Sequence, residues 1–291
     1  MRQLSILLVA AHPADTFDHC GGTLLHHARR GDRITVVSVT HGLRIHDIVV
    51  SEKFRFQKEK PDKNEIEKII AERTQSKNAE VINACKILGV TDVRFLNYED
   101  GILLVTEDKI RDVAKVIRDV RPDILITHYP LTELFGCESA HGNVGKIVLH
   151  ASQFAGEVDF DDPNPSHRSA QTFFMAPEEG TRPSSNVLSG YTPGYCDYYV
   201  NITDVVEEKV RALDNMRSQQ YDGNYARRTV EVCDGVQGQV ISEAYAEGFI
   251  RFLPEYGDYL NVCEGRLDKQ DEDEILTRKR VSNFIAPYIK L

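Results

Sequence analysis

The chain reads as an α/β protein: a Rossmann-like, doubly wound, mostly parallel sheet flanked by helices, with a C-terminal helical extension. Three observations predict this. Short runs dense in aliphatic and β-branched residues recur at 4–10, 34–39, 93–96 and 123–127, each the length of a buried strand. Between them lie segments of helical periodicity at 64–88, 107–120 and 141–154, and this alternation requires right-handed β-α-β crossovers. The chemistry-bearing residues His12, Asp15, His41, His46, His128 and Glu138 fall just after strand-like runs or in the loops there. An open α/β sheet places its ligand site there, at the carboxyl ends of its strands.

In chain order, the first strand run (4–10) meets a polar turn, His12-Pro13-Ala14-Asp15 and on to Asp18. A helix at 21–31 follows, closed by Gly31. The lysine-rich stretch 48–63 reads as a mobile loop or lid. Residues 159–193 hold five of the eleven prolines and read as an extended excursion. Helices are predicted again at 205–219 and 242–252. Residues 1–265 read as a single α/β domain and 266–291 as a tail. The tail opens with acidic residues and offers Ile275, Val281, Phe284, Ile285 and Ile289 as apolar contacts for a neighbouring subunit or its own domain. A homo-oligomer is the expectation, and no repeat is visible.

Composition narrows the function. At 291 residues the chain buries enough surface to need no disulfides. Its six cysteines form no C-x-x-C pair, which argues against a zinc ribbon or a thioredoxin-like motif. A net charge of -10 argues against a nucleic-acid surface, which needs a basic stripe. A small-molecule substrate is therefore expected. No apolar run suits a membrane span, and Met1-Arg2-Gln3-Leu4 leads into a strand without a signal-peptide pattern, so the expected location is the cytoplasm. There is no G-x-G-x-x-G fingerprint and no G-x-S-x-G elbow.

The metal-binding signal lies in His12 and Asp15. An imidazole and a carboxylate three residues apart in a turn can face one ion, and His141 can reach the same sheet edge as a third ligand. Nitrogen and carboxylate donors suit Zn2+, with Fe2+ or Mn2+ as alternatives, and three ligands leave a position open for water and substrate. The competing reading makes His12 a turn residue and His141 a helix-start residue.

The stretch from Val9 through His12-Pro13-Ala14-Asp15 to Gly21-Gly22-Thr23 resembles the opening motif of the PIG-L/LmbE-like family, Ala-His-Pro-Asp-Asp-Glu followed by Gly-Gly-Thr. Thr40-His41-Gly42, the segment 80–90 with Lys77 where an arginine is usual, and Tyr245-Ala246-Glu247-Gly248-Phe249 are similar to later family motifs. The resemblance spans roughly 4–255. It implies a Rossmann-like fold and a zinc ion on His12, Asp15 and His141, and its zinc enzymes include N-deacetylases of amino-sugar conjugates.

The departures redirect the chemistry. Ala14 stands where the deacetylases place their general base. Glu138 stands three residues before the last ligand in place of a histidine, Ala140 in place of an aspartate, and Leu43 in place of a glutamate. Losing a positioned acid or base slows a reaction ~10²–10⁴-fold. The 4-oxalomesaconate hydratases, a branch of the family, also resemble this chain in the alanine before the ligand aspartate and in Gly235-Val236-Gln237 followed by Tyr245-Ala246-Glu247-Gly248. The resemblance therefore implies hydratase or lyase chemistry on a small carboxylated substrate. An N-deacetylase and a non-catalytic metal-binding module are the alternatives.

Candidate proton-transfer groups are Glu138, His46 and Asp18. Glu138 reads equally as a carboxylate favoured by the helix dipole, His46 as an exposed loop residue, and Asp18 as an N-cap. Arg44 and Lys77 are candidates for binding an anionic substrate, against surface salt bridging. His128 and Tyr129 are candidate pocket-lining residues.

Overall fold

The computed structural model describes residues 2–55, 57–59, 62–131, 133–134, 137–176 and 196–283, with backbone alone at 133–134 and 137–138. The chain begins with β1 (Ser5–Ala10), α1 (Asp15–Arg30) and β2 (Arg33–Thr40), then two short turns of helix, α2 (Leu43–His46) and α3 (Ile48–Val50). It continues through α4 (Lys63–Ile87), β3 (Asp92–Tyr98), α5 (Glu107–Val120) and β4 (Ile124–His128). A two-stranded hairpin of β5 (Glu133–Leu134) and β6 (Cys137–Glu138) precedes α6 (Ala140–Ala155) and β7 (Gln171–Met175). The last part comprises β8 (Tyr198–Asn201), α7 (Val206–Leu213), α8 (Asn224–Val240), β9 (Ala246–Arg251), α9 (Glu264–Leu267) and α10 (Glu274–Val281).

Seven strands form one sheet in the order β3-β2-β1-β4-β7-β9-β8. The first five are mutually parallel, whereas β9 runs antiparallel to both β7 and β8. The order steps outward from β1 to β2 and β3 and then reverses to β4 on the other side, so the doubly wound expectation holds. The switch point lies between β1 and β4, whose carboxyl ends lead into His12 and close with His128.

Both sheet faces are covered. Alternate β1 residues feed opposite cores: Ile6, Leu8 and Ala10 join Phe17, Leu24 and Val81, while Leu7, Val9 and Ala11 join Val113, Ile117, Val144 and Ile147. Thus α1, α4 and α7 pack on one face and α5 and α6 on the other. Burying such aliphatic side chains contributes about 1.5–3 kcal/mol each, and this two-sided burial is why β1 is apolar throughout. Among the described residues no helix is long and apolar enough to cross a membrane.

Several expectations need correction. The first helix starts at Asp15 rather than at residue 21, because the His12–Asp15 turn already has its backbone bonded and Ala14 sits in αR at the N-cap. In the stretch 48–63, read as a mobile loop or lid, α3 and a π-type turn at Ser51–Arg55 give residues 48–55 regular structure, and Arg73 anchors its start by pairing with Asp47 at 3.0 Å; residues 56, 60 and 61 lie outside the described residues. The proline-rich excursion contains β7, a sheet-interior strand; residues 177–193 of that stretch lie outside the described residues.

The helix predicted at 242–252 is β9, and the helix before it, α8, has no counterpart in the expectations. Ser242 takes a left-handed conformation (φ 58°) just beyond α8, turning the chain into the sheet. The helix formers Ala246 and Glu247 then yield to strand pairing on both sides. The predicted helix 205–219 shortens to α7 followed by a 3-10 turn at Arg217–Gln219. In the tail, α10 forms, but Ile275 is exposed and Phe284, Ile285 and Ile289 lie outside the described residues.

Helix α6 approaches the end of β4 closely at Gly145. A Cβ there would sit 2.5 Å from the His128 carbonyl oxygen and 2.9 Å from the Pro130 Cα, both backbone atoms with little room to move. Gly145→Ala should therefore destabilise the fold by ~1–3 kcal/mol, read as a fall in Tm of about 2–4 °C per kcal/mol for a chain of this size. An unchanged Tm would refute the close packing.

Candidate metal centre

His12 leaves the end of β1 and Asp15 opens α1, and the turn between them is closed by its own backbone. The His12 N–H donates to Asp15 Oδ2 at 2.7 Å, and the Asp15 N–H donates back to the His12 carbonyl at 3.3 Å. His141 arrives from the first turn of α6, whose N-cap Ser139 accepts from the Gly142 N–H at 3.1 Å. Sequence-remote residues thus meet because β1 and β4 are neighbours and α6 returns over β4.

His12 Nδ1, Asp15 Oδ2 and His141 Nε2 form a nearly equilateral triangle, with edges of 3.1, 3.3 and 3.4 Å. A tetrahedral ion with bonds of about 2.0–2.1 Å holds its donors about 3.3–3.4 Å apart, so the donor set and its spacing fit zinc. The 3.1 Å edge joins two ring nitrogens, which need a proton or a cation between them to lie so close. Burial alone would raise the Asp15 pKa, but His141, His12 and hydrogen bonds from His12 and His128 hold it well below the usual carboxylate range. The anion is the form a metal requires.

His128 backs the triangle. Its ring stacks on His141 at 4.2 Å with 7° between the planes. Its Nε2 accepts the Ala11 N–H at 3.0 Å and lies 3.2 Å from Asp15 Oδ2. A nitrogen that accepts from Ala11 cannot also donate to Asp15; the backbone donor has the stronger claim, because burial and His141 push the His128 pKa down to about 3. His128 is therefore a neutral ring fixing the plane of His141. Tyr129, next along, packs edge-on against Phe174 at 5.8 Å.

The remaining candidates divide. His46 comes to the site, its ring 4.8 Å from that of His12 at 70°, with part of its surface open to solvent. Burial of the inner side, and then His12, press its pKa down. Asp18 is not an N-cap; its Oδ2 accepts the Tyr221 hydroxyl at 2.9 Å, one turn beyond Asp15. Glu138 lies in β6, three residues ahead of His141, with its side chain outside the described part.

Lys77 is corrected. It is fully buried, and its Nζ donates to the carbonyls of Gly42 at 2.9 Å and His46 at 2.8 Å. Burial lowers its pKa to about 8 against the pull of Asp47, Glu80 and Asp100. It clamps the α2 turn carrying His46, with its ammonium turned to backbone carbonyls rather than to solvent. Arg44 is exposed and pairs with Glu99, the surface alternative. His41, Glu99 and Asp100 form a second donor cluster. It is occupied internally, since His41 Nδ1 accepts the Leu43 N–H at 3.2 Å and Asp100 accepts the N–H groups of Arg44 and Ile45.

Sequence reasoning passed over His19. It lies four residues after Asp15 on the same face of α1, its ring 5.8 Å from His128 and 6.2 Å from His141. The i, i+4 spacing was the available signal, hidden by starting the helix at residue 21. Also passed over was a buried ionic group: Lys209 Nζ lies 2.9 Å from Glu247 Oε1 and 2.7 Å from Asp234 Oδ2.

Comparison with known proteins agrees with this fold. Residues 7–152 match the PIG-L family model, described as GlcNAc-PI de-N-acetylase. The chain is 24% identical over 271 residues to the 4-oxalmesaconate hydratase of Pseudomonas putida, covering 87% of this chain and 90% of that one. It is 29% identical over 185 residues to the diacetylchitobiose deacetylase of Thermococcus kodakarensis, spanning 62% of each. Among solved structures, the 4-carboxy-2-hydroxymuconate hydratase of Pseudomonas putida superposes with a TM-score of 0.68 at 22% identity, covering 90% of this chain and all of that one. The N,N'-diacetylchitobiose deacetylase of Pyrococcus horikoshii gives 0.65 at 20% identity, covering 85% of this chain and 83% of that one. The chain belongs to the PIG-L family.

Proposed function

We propose that this chain is a metal-dependent hydratase or related lyase acting on a small carboxylated substrate, with His12, Asp15 and His141 holding a zinc ion. Ala14 carries the choice of reaction. It is buried at the N-cap of α1 beside Asp15, and a methyl group there cannot take a proton from water. Amide hydrolysis needs a base for water and an acid for the departing amine. Hydration of an activated double bond also takes a proton from water and delivers one to the neighbouring carbon, but it has no departing amine to protonate. The extent of the similarity to 4-oxalmesaconate hydratase, 87% of the chain, favours the same reading. Iron or manganese would suit the same nitrogen and oxygen donors.

When bound, the ion supplies Lewis-acid polarisation of a substrate oxygen and lowers the pKa of water. The protein's own groups do the rest. Asp15 and the two imidazoles set the donor triangle, and His128, held by the Ala11 N–H, keeps His141 from rotating. His46, beside His12 and open to solvent on one side, is placed to pass a proton between reactant and water. Glu138, just ahead of His141 in the chain, is the second candidate for that transfer. The reading as an N-deacetylase rests on the family description and on the deacetylase relatives.

Elemental analysis of the purified protein should find about one zinc, iron or manganese per chain, retained by wild type and lost from His141→Ala and Asp15→Asn. No stoichiometric metal, even after reconstitution, would sink the proposal.

Unsaturated keto acids should lose ultraviolet absorbance on incubation with the metal-loaded protein. If they do not, and acetate is released from N-acetyl sugars, the deacetylase reading takes its place. Glu138→Gln should slow turnover at least about tenfold if Glu138 moves the proton; wild-type turnover would leave His46 as the proton carrier.

A further inference from the structure

The buried ionic group around Lys209 grips the helix that carries Asp15. Lys209 on α7 is wholly buried, and its ammonium has three close partners: the Asp18 carbonyl at 2.7 Å, Glu247 Oε1 at 2.9 Å and Asp234 Oδ2 at 2.7 Å. Glu247 on β9 uses both oxygens on α1, accepting the Gly22 N–H and the Thr23 N–H at 2.8 Å each. In a regular helix the Gly22 N–H points to the Asp18 carbonyl. Here the two ends of that rung face the two halves of an ion pair.

Two glycines make the approach possible. A Cβ at Gly21 would lie 3.1 Å from Lys209 Cγ, and one at Gly22 would lie 2.5 Å from Ile202 Cγ2. Helix α1 is bare where the charged groups press on its backbone, and this joins the Gly21-Gly22-Thr23 motif to the Glu247 motif near the other end of the chain. Burying three ionisable groups costs several kcal/mol per ion before their mutual attraction is counted. A hydrophobic contact would hold the helix without that cost, but it would not fix the backbone's rotation about its axis. Hydrogen bonds to one carbonyl and two N–H groups do fix it, and the carbonyl belongs to Asp18, three residues from Asp15.

We propose that Glu247 and Lys209 are positioning residues for Asp15: by gripping the backbone of α1 they set the direction of its carboxylate and hence the shape of the donor triangle. The proposal rests on the metal reading above. The C-terminal part of the chain, beyond the residues 7–152 that match the family model, then acts on the metal site without touching it.

The test uses the full chain. Zinc affinity is measured by competition with a chromogenic chelator, and ligand geometry by the visible absorption of the cobalt-substituted protein. Glu247→Gln removes the charge; Glu247→Asp keeps it but withdraws the carboxylate from α1, and serves if the first variant does not fold. Val113→Ala, in the core under α5 and away from α1, controls for general destabilisation. The Glu247 variants should bind zinc at least about tenfold more weakly, in the range seen when groups orienting a metal ligand are removed, with an altered cobalt spectrum. Val113→Ala should lower Tm and leave both readouts at wild type. Glu247 variants with wild-type affinity and spectrum, or no worse than Val113→Ala at matched Tm, would overturn the inference while leaving the metal reading intact. A wild-type protein that binds neither ion would overturn both.

Discussion

Asp15 Oδ2 is the atom around which this molecule is organised. It is buried, it accepts the His12 N–H, and three imidazole nitrogens lie within 3.2–3.4 Å of it. An ionised carboxylate out of water is unstable by several kcal/mol unless positive charge or hydrogen bonds compensate. Beyond the one backbone N–H, each neutral imidazole can turn at most one N–H toward the carboxylate. Extra protons on the rings or a cation at the centre would compensate the charge more fully. The almost equal edges of the triangle favour the cation: protons pair donors with acceptors two at a time, whereas one ion draws all three to a common distance.

The sheet supplies this convergence. At the reversal between β1 and β4, two adjacent parallel strands send their following helices, α1 and α6, to opposite faces, leaving a crevice at their carboxyl ends. Helix α1 departs to one face from His12, and α6 packs on the other with its N-terminus beside His128. Gly145, on the same helix as His141, fits closely against the end of β4. Each of the three donors is thus placed at a different element end, next to the sheet.

What could be read from the sequence follows from locality. The parallel strands near the switch point are buried on both faces, so they appear as continuous aliphatic runs, and the His12–Asp15 turn follows directly from the first of them. The antiparallel strands were hidden. β9 carries Ala246, Glu247 and Gly248, poor strand formers individually, and holds its conformation only because β7 and β8 pair with it. Lys77 was misjudged because a lysine normally reaches water, and nothing local says that two carbonyls of a distant turn will enclose its ammonium. Lys209 and Glu247 were illegible for a similar reason. Their partners lie on α1, up to 225 residues away, and no spacing within either segment encodes that distance.

The candidate metal donors and the candidate proton-transfer groups sit on different parts of the fold. The donor triangle is built by the first turn of α1 and the first turn of α6, both braced from the interior. The proton-transfer candidates sit elsewhere: His46 on the α2 turn, hung from Lys77, and Glu138 in the short β5–β6 hairpin. The Ala14 methyl is buried in the core beside Asp15, and only its carbonyl makes hydrogen bonds, accepting the N–H groups of Phe17 and Asp18, so its side chain makes no hydrogen bond that places a donor. Under the proposed reading, such a division would let one donor platform serve hydration or amide hydrolysis, with the outcome set by which side chains reach the reactant from the turns around it.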